Sequence, residues 1–132
     1  MDHVRSERPM AQILLAEPDR PIRDFIAGIL TDFGHGVTVC RDGTEAAALL
    51  AIGPIDVLVT DLVLDDDKGS TLSRHCVARG IPTITLTGHE FHIYQAEQDR
   101  PPMLIEKPFR LDDLICVVDA VALASASTRV AA

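Results

Sequence analysis

The chain has 132 residues, of which 47% are hydrophobic and 24% charged, and its formal net charge is −8. This length predicts one domain with a buried core, and the composition is typical of a globular rather than a disordered protein. The acidic balance and the lack of a Lys/Arg cluster argue against nucleic-acid binding. No apolar run approaches the roughly 20 residues that a membrane helix needs, so we expect no membrane association.

The cysteines are odd in number and widely spaced, at Cys40, Cys76 and Cys116. This pattern indicates reduced thiols in a cytoplasmic protein rather than a disulfide framework or a metal site. Residues 1–10 are polar and lack the apolar stretch of a signal peptide, so we expect a flexible N-terminal tail.

Short apolar runs alternate with segments of helical periodicity along the whole chain. The predicted strands are 11–16, 36–40, 55–61, 81–86 and 103–105, and the predicted helices lie at 22–33, 44–52, 70–79, more weakly at 89–100, and at 111–124. Asp19 and Thr44 are the expected N-caps of the first two helices, because their side chains can accept from free backbone N–H groups. We expect residues 125–132 to fray.

Five strands that alternate with helices require parallel pairing with crossover helices. The sequence therefore predicts an α/β fold with a doubly wound parallel sheet. In such a sheet, the residues that follow the strands meet at one edge, where ligands bind. Those residues are Glu17, Asp61, Thr87 and Lys107. They combine carboxylates for a cation or for nucleophilic attack with donors for a phosphoryl group.

Four short segments make the sequence similar to the receiver domain of bacterial response regulators. They are ILLAEPD after strand one, DVLVTDLVL around Asp61 with Gly69 eight positions later, ITLTG at Thr87, and EKPF at Lys107. The resemblance covers residues 11–124. It implies a flavodoxin-like fold with strand order 2-1-3-4-5.

The resemblance also implies a phosphoryl-transfer site. Asp61 would accept a phosphoryl group from a sensor histidine kinase or a phosphotransfer protein. Thr87 would bind a phosphoryl oxygen, Lys107 would pair with the phosphate, and Pro108 would set the approach of Lys107.

A magnesium site belongs to the same resemblance. Glu17 would hold a metal-bound water, while Asp61 and the backbone carbonyl of Val63 would ligate Mg²⁺ directly. The family usually has a second acidic residue where this chain has Pro18, which offers no side-chain ligand. Asp19 is a candidate to compensate.

Two further departures affect how phosphorylation would reach the surface. Leu104 stands where the family has an aromatic residue, and Asp65 stands where it has proline. An alternative hypothesis, whose main support is Pro18, is a pseudo-receiver that binds partners without phosphoryl chemistry. A nucleotide- or flavin-binding protein is a third hypothesis, disfavoured because residues 17–21 contain no glycine to cradle phosphate.

Other polar clusters have simpler interpretations. Asp65 to Asp67 form a solvated loop in preference to a metal site, and the His89, Glu90 and His92 group could ligate a metal only if helical. His35 and His75 are interpreted as turn and surface residues.

The leading hypothesis is a stand-alone receiver, monomeric or weakly dimeric, that acts by docking onto a downstream protein. The chain looks like the short alphaproteobacterial receivers, some of which act as adaptors for regulated proteolysis. The terminal Val130-Ala131-Ala132 also resembles a bacterial protease tag, with an Ala-rich frayed end as the simpler alternative.

Overall fold

The computed structural model describes residues 10–61, 64, 69–87, 103–107 and 109–131. The elements are β1 (Gln12–Ala16), α1 (Arg20–Asp32), β2 (Gly36–Cys40), α2 (Gly43–Ile52), β3 (Val57–Asp61), α3 (Gly69–Ala78), β4 (Thr83–Thr87), β5 (Leu104–Glu106) and α4 (Leu111–Ala131). The predictions for residues 65–67 and 89–100, for Val63 and for Pro108 lie outside the described residues.

The five strands form one sheet of order β2-β1-β3-β4-β5 in which every pairing is parallel. The doubly wound, flavodoxin-like fold is therefore confirmed. All five predicted strands are present, with ends shifted by two residues at most. The central strands β1 and β3 are rich in branched apolar residues because side chains on both of their faces are covered.

Helices pack on both faces of the sheet. On one face, α1 and α4 contribute Ile26, Leu30, Leu114 and Val118 to a core that includes Ile13 and Val59. On the other face, α2 and α3 contribute Ala46, Leu50, Leu72 and Cys76 to a core around Leu14 and Leu58. These two cores fix the strands whose carboxyl ends carry the candidate site.

The first helix is capped as expected, and the second is not. Asp19 Oδ1 accepts from Ile22 N at 3.1 Å, which confirms the predicted cap of α1. The prediction of Thr44 as the cap of α2 is wrong, because Asp42 holds that position and accepts from Glu45 N at 2.8 Å. Glu45 Oε1 in turn accepts from Arg41 N at 2.9 Å. With these two hydrogen bonds, the helix starts at Gly43, one residue before Thr44.

The last helix is longer than the sequence pattern indicates. It continues to Ala131, beyond the predicted helix end at residue 124, and the expected fraying of residues 125–132 stays a prediction. The segment contains neither glycine nor proline, and helix propagation adds one hydrogen bond per residue until such a residue intervenes. The apolar side of α4 includes Leu114 and Val118 as expected, whereas Leu123 is 58% exposed. The domain limits of 11 and 124 stay predictions.

His35, interpreted from the sequence as a turn residue, directly follows the turn at residues 33–34 and is buried. Its Nδ1 accepts from Ala11 N at 3.1 Å, and its Nε2 lies 2.9 Å from Asp119 Oδ1. An acceptor at Nδ1 leaves Nε2 as the donor to the carboxylate. The ring therefore links the start of β1 to α4, which only the folded chain brings together.

Two expectations about the described residues can be compared directly with the structure. No disulfide joins Cys40, Cys76 and Cys116, all of which lie within the described residues. Among the described residues, no helix combines the length and the apolar character needed to cross a membrane.

Candidate functional site at the carboxyl edge of the sheet

The strand register brings the predicted site residues to one edge of the sheet. Ala16 pairs with Thr60, so Glu17 and Asp61 follow directly on adjacent strands. Asp61 pairs with Leu86, and Thr87 with Glu106, which places Thr87 and Lys107 along the same edge. Parallel strands make this clustering possible although Glu17 and Lys107 are 90 residues apart.

Lys107 joins the two carboxylates. Its Nζ lies 3.0 Å from Glu17 Oε1 and 3.2 Å from Asp61 Oδ2. The side chains are 24% exposed for Lys107, 1% for Glu17 and 14% for Asp61. Asp61 is thus the more accessible carboxylate, whereas Glu17 is buried. A charged hydrogen bond in such a setting is stronger than one at the surface.

Glu17 is held by the backbone as well as by Lys107. Its Oε2 accepts from Asp19 N at 3.2 Å, and its own N donates to Cys40 O at 3.0 Å. Burial raises the pKa of the Glu17 carboxyl, the hydrogen bond from Lys107 opposes that rise, and the charge of Asp61 adds to it. The hydrogen bonds from Lys107, first, and from Asp19 N therefore favour the ionised form of this buried acid.

The ammonium group of Lys107 is stabilised in return. Burial alone would lower its pKa, but the hydrogen bond to Glu17 and the charge of Asp61 outweigh burial, and the pKa is raised. Lys107 therefore carries a fixed positive charge beside Asp61.

Two threonines flank Asp61. Thr87 is fully buried at the end of β4, and its carbonyl accepts from Lys107 N. Thr60 Oγ1 donates to the Asp61 carbonyl at 2.9 Å. These contacts fix the backbone on both sides of the pair formed by Asp61 and Lys107.

The described donor set does not fit a resident Mg²⁺. No three His, Cys, Asp or Glu residues cluster in a metal-binding arrangement within the described ranges. Lys107 Nζ lies within 3.2 Å of a carboxylate oxygen of both Glu17 and Asp61, and Pro18 supplies no ligand. The carboxylate of Asp19 caps α1, because its Oδ1 accepts from Ile22 N. A hard dication needs several oxygen ligands, and the described residues bring together two carboxylates that already share a cation.

Sequence reasoning missed Arg23, Thr60 and His35. Arg23 Nη1 donates to the Glu17 carbonyl at 3.0 Å, across six residues. An arginine in the first turn of a helix gives no pattern by which this contact could be found. The residues that were expected and are described do gather at one edge: Glu17, Asp61 and Lys107 in direct contact, Thr87 beside them, and Asp19 within the loop.

This arrangement has a defined chemical capacity. A partly exposed carboxylate lies next to a fixed ammonium group, which can balance the negative charge of an incoming anion. The second carboxylate is buried and orients that ammonium group. The geometry suits nucleophilic attack by Asp61 on an electrophile that carries negative oxygens, such as a phosphoryl group.

Comparisons with known proteins agree with this geometry. A family model of the response regulator receiver domain matches residues 13–119, more than half of the chain. The response regulator receiver protein CpdR of Brucella abortus (strain 2308) is 29% identical over 120 residues, which cover 88% of this chain and all of CpdR.

Solved structures are similar as well. The receiver domain of the Francisella response regulator 1452 is 25% identical, with a TM-score of 0.76, and the match covers 87% of this chain and 98% of that domain. NtrX from Brucella abortus is 28% identical, with a TM-score of 0.77. That match covers 91% of this chain and only 29% of NtrX, so the likeness concerns one part of the larger protein.

Proposed function

The chain belongs to the response regulator receiver domain family, and on this premise we propose that it is a phosphoacceptor of two-component or phosphorelay signalling. Asp61 accepts a phosphoryl group from the phosphohistidine of a sensor kinase or a phosphotransfer protein. The observation that carries the proposal is the contact of Lys107 Nζ with both Asp61 and the buried Glu17.

The proposed transfer is a direct displacement at phosphorus. An oxygen of Asp61 forms a new P–O bond, the P–N bond to the donor imidazole breaks, and the imidazole takes up a proton as it leaves. Lys107 balances the charge on the phosphoryl oxygens, and the Thr87 hydroxyl donates to one of them. Glu17 keeps Lys107 charged and directed at Asp61 throughout.

Metal binding in this proposal is weak. Lys107 supplies the resident positive charge, and no step passes through Mg²⁺. Any metal that does bind would use Asp61, Glu17 and the Val63 carbonyl, with Asp19 as the one further carboxylate of the loop. The proposed output is docking onto a downstream protein, for which an adaptor role in regulated proteolysis is the specific candidate.

Transfer of labelled phosphate tests the proposal. The protein is incubated with a small phosphodonor or a phosphorylated kinase, with and without high Mg²⁺, and acid-stable and acid-labile phosphate are separated. We expect acid-labile incorporation that Asp61→Asn abolishes. Asp56→Asn is the matched control, because Asp56 lies at the opposite end of β3, where its Oδ2 accepts from Gln12 N at 2.8 Å. Absence of label even at high Mg²⁺ would refute the proposal.

A second candidate is favoured by one observation, the proline at position 18. A pseudo-receiver would keep the fold as a constitutive docking module without phosphoryl chemistry. Titration with Mg²⁺ or Mn²⁺ monitored by NMR separates the two candidates. Binding at Asp61 in the millimolar range favours the phosphoacceptor, whereas no response there, together with no phosphate uptake, favours the pseudo-receiver.

A further inference from the structure

Arg23 closes the loop that connects β1 to α1. Its backbone N donates to Asp19 O at 2.8 Å, the first turn of α1, and its side-chain Nη1 reaches back to the Glu17 carbonyl at 3.0 Å. The residue is half-buried. Arg23 therefore forms hydrogen bonds to two residues of the loop, Glu17 and Asp19.

This contact completes the fixation of Glu17 at four atoms. Its N is bonded to Cys40 O, its carbonyl to Arg23, its Oε2 to Asp19 N and its Oε1 to Lys107. Pro18 has no N–H group, so the loop has one backbone donor fewer. The side chain of Arg23 supplies a donor from the helix.

A fully buried carboxylate depends on such fixation. The hydrogen bond to Lys107 is 3.0 Å long, and a displacement of about 1 Å takes a hydrogen bond out of its effective range. The peptide carbonyl that Arg23 binds and the carboxylate that Lys107 binds belong to the same residue. Movement of that carbonyl therefore moves the carboxylate.

We propose that Arg23 is a positioning residue that holds the Glu17 carboxylate against Lys107 and thereby sets the rate at which Asp61 accepts a phosphoryl group. The guanidinium suits this task because its planar set of donors loses little freedom when it binds a carbonyl. Arg23 itself need not touch the phosphoryl group. The rate component rests on the proposed function, while the positioning component does not.

The positioning component is tested by NMR on ¹⁵N-labelled protein. The Asp19 amide is the reporter, because it donates to Glu17 Oε2. In Arg23→Ala we expect its proton signal to move upfield and its exchange with water to become about tenfold faster, the factor that a hydrogen bond to a charged group contributes. Amides of the central strand β3 should keep their exchange rates, which distinguishes repositioning from a general loss of stability.

Matched variants make the result decisive. Arg20→Ala removes an 82% exposed arginine of the same helix turn, whose ion pair with Asp24 is 3.7 Å long, and should leave the Asp19 amide unchanged. Arg23→Lys should restore part of the wild-type signal. If Arg23→Ala does not fold, Arg23→Gln is measured by the same criterion. An unchanged Asp19 amide in a folded Arg23 variant overturns the proposal.

The rate component is tested with a small phosphodonor. Arg23→Ala should lower the maximal rate of Asp61 phosphorylation about tenfold, with the donor concentration at half-maximal rate unchanged, because the donor does not contact Arg23. A wild-type rate in Arg23→Ala overturns the proposal. If the wild-type protein takes up no phosphate, the proposed function fails, and the Asp19 amide alone decides whether Arg23 positions Glu17.

Discussion

Replacing Lys107 by methionine removes the positive charge that contacts both carboxylates. Methionine keeps much of the chain length and apolar volume but cannot donate to Glu17 Oε1 or Asp61 Oδ2, which lie 3.0 and 3.2 Å from Nζ. The buried Glu17 carboxylate then keeps Asp19 N as its one hydrogen-bond partner among the described residues. We expect a large loss of stability at neutral pH.

The size of the loss follows from the geometry. Unit charges about 3 Å apart attract by roughly 5 kcal/mol at an effective dielectric constant near 20, and desolvation offsets much of this. Breaking a buried pair from one side typically costs about 3–5 kcal/mol. Because Lys107 is 24% exposed and Asp61 14%, water screens part of the interaction. We therefore expect the free energy of unfolding to fall by about 2–4 kcal/mol.

The pH dependence has a definite sign. The pKa of Glu17 is already raised above its ordinary value of 4.5, by burial first, and loss of Lys107 raises it further. Between pH 4.5 and the raised pKa of Glu17, the folded variant binds more protons than its unfolded chain. Its free energy of unfolding therefore decreases as the pH rises through this range. In the wild-type protein, the pKa of Lys107 is raised above its ordinary value of 10.5. The stability that this charge contributes is fully present below pH 10.5 and is lost as the pH rises through the raised pKa.

Urea denaturation at about pH 4.5 and about pH 7 measures the effect. Lys107→Met should be more destabilised at the higher pH, and Glu17→Gln in the same chain should restore part of the stability, since a neutral amide needs no cation. Arg110→Met, at an exposed position, should change the stability by less than about 0.5 kcal/mol. A Lys107→Met loss below about 0.5 kcal/mol, or equal losses at both pH values, would refute the reasoning.

The remaining predictions concern metal affinity, a buried histidine and a helix cap. Pro18→Asp should tighten Mg²⁺ binding by about tenfold or more in NMR titrations, since a further carboxylate attracts a dication strongly; unchanged affinity would contradict the account of the site. His35→Ala should cost about 2–4 kcal/mol in urea denaturation because it removes a buried side chain and the acceptor of the buried Ala11 N, while exposed His75→Ala should cost almost nothing. Asp42→Ala should lower stability by about 0.5–2 kcal/mol, and equal loss in Thr44→Ala would contradict the assignment of the cap.

The sheet and its site edge could be predicted because they depend on local patterns. Apolar runs that end in Asp61 or Glu17 indicate both a buried strand and the point at which it stops. Alternation with helices then fixes parallel pairing, which brings those ends together. The positions of the strand ends in the sequence thus predicted which residues meet at one edge of the sheet.

The long-range hydrogen bonds could not be predicted in the same way. His35 bonds Ala11 N and Asp119, and Arg23 bonds a carbonyl six residues earlier. Such contacts depend on the angle at which a helix meets the sheet, which no periodicity encodes. The cap at Asp42 was missed for a simpler reason, since Asp42-Gly43 and Thr44 are both good starts for a helix and only backbone geometry selects one.

Chemical mapping of the phosphoryl group tests the central claim most directly. Borohydride reduces an aspartyl phosphate to homoserine, which peptide mass spectrometry can locate after incubation with a phosphodonor. We expect homoserine at position 61 in the wild-type chain, and less of it in Lys107→Met. Modification at another carboxylate, such as Glu17, or none at all, would contradict the assignment of Asp61 as the phosphoacceptor.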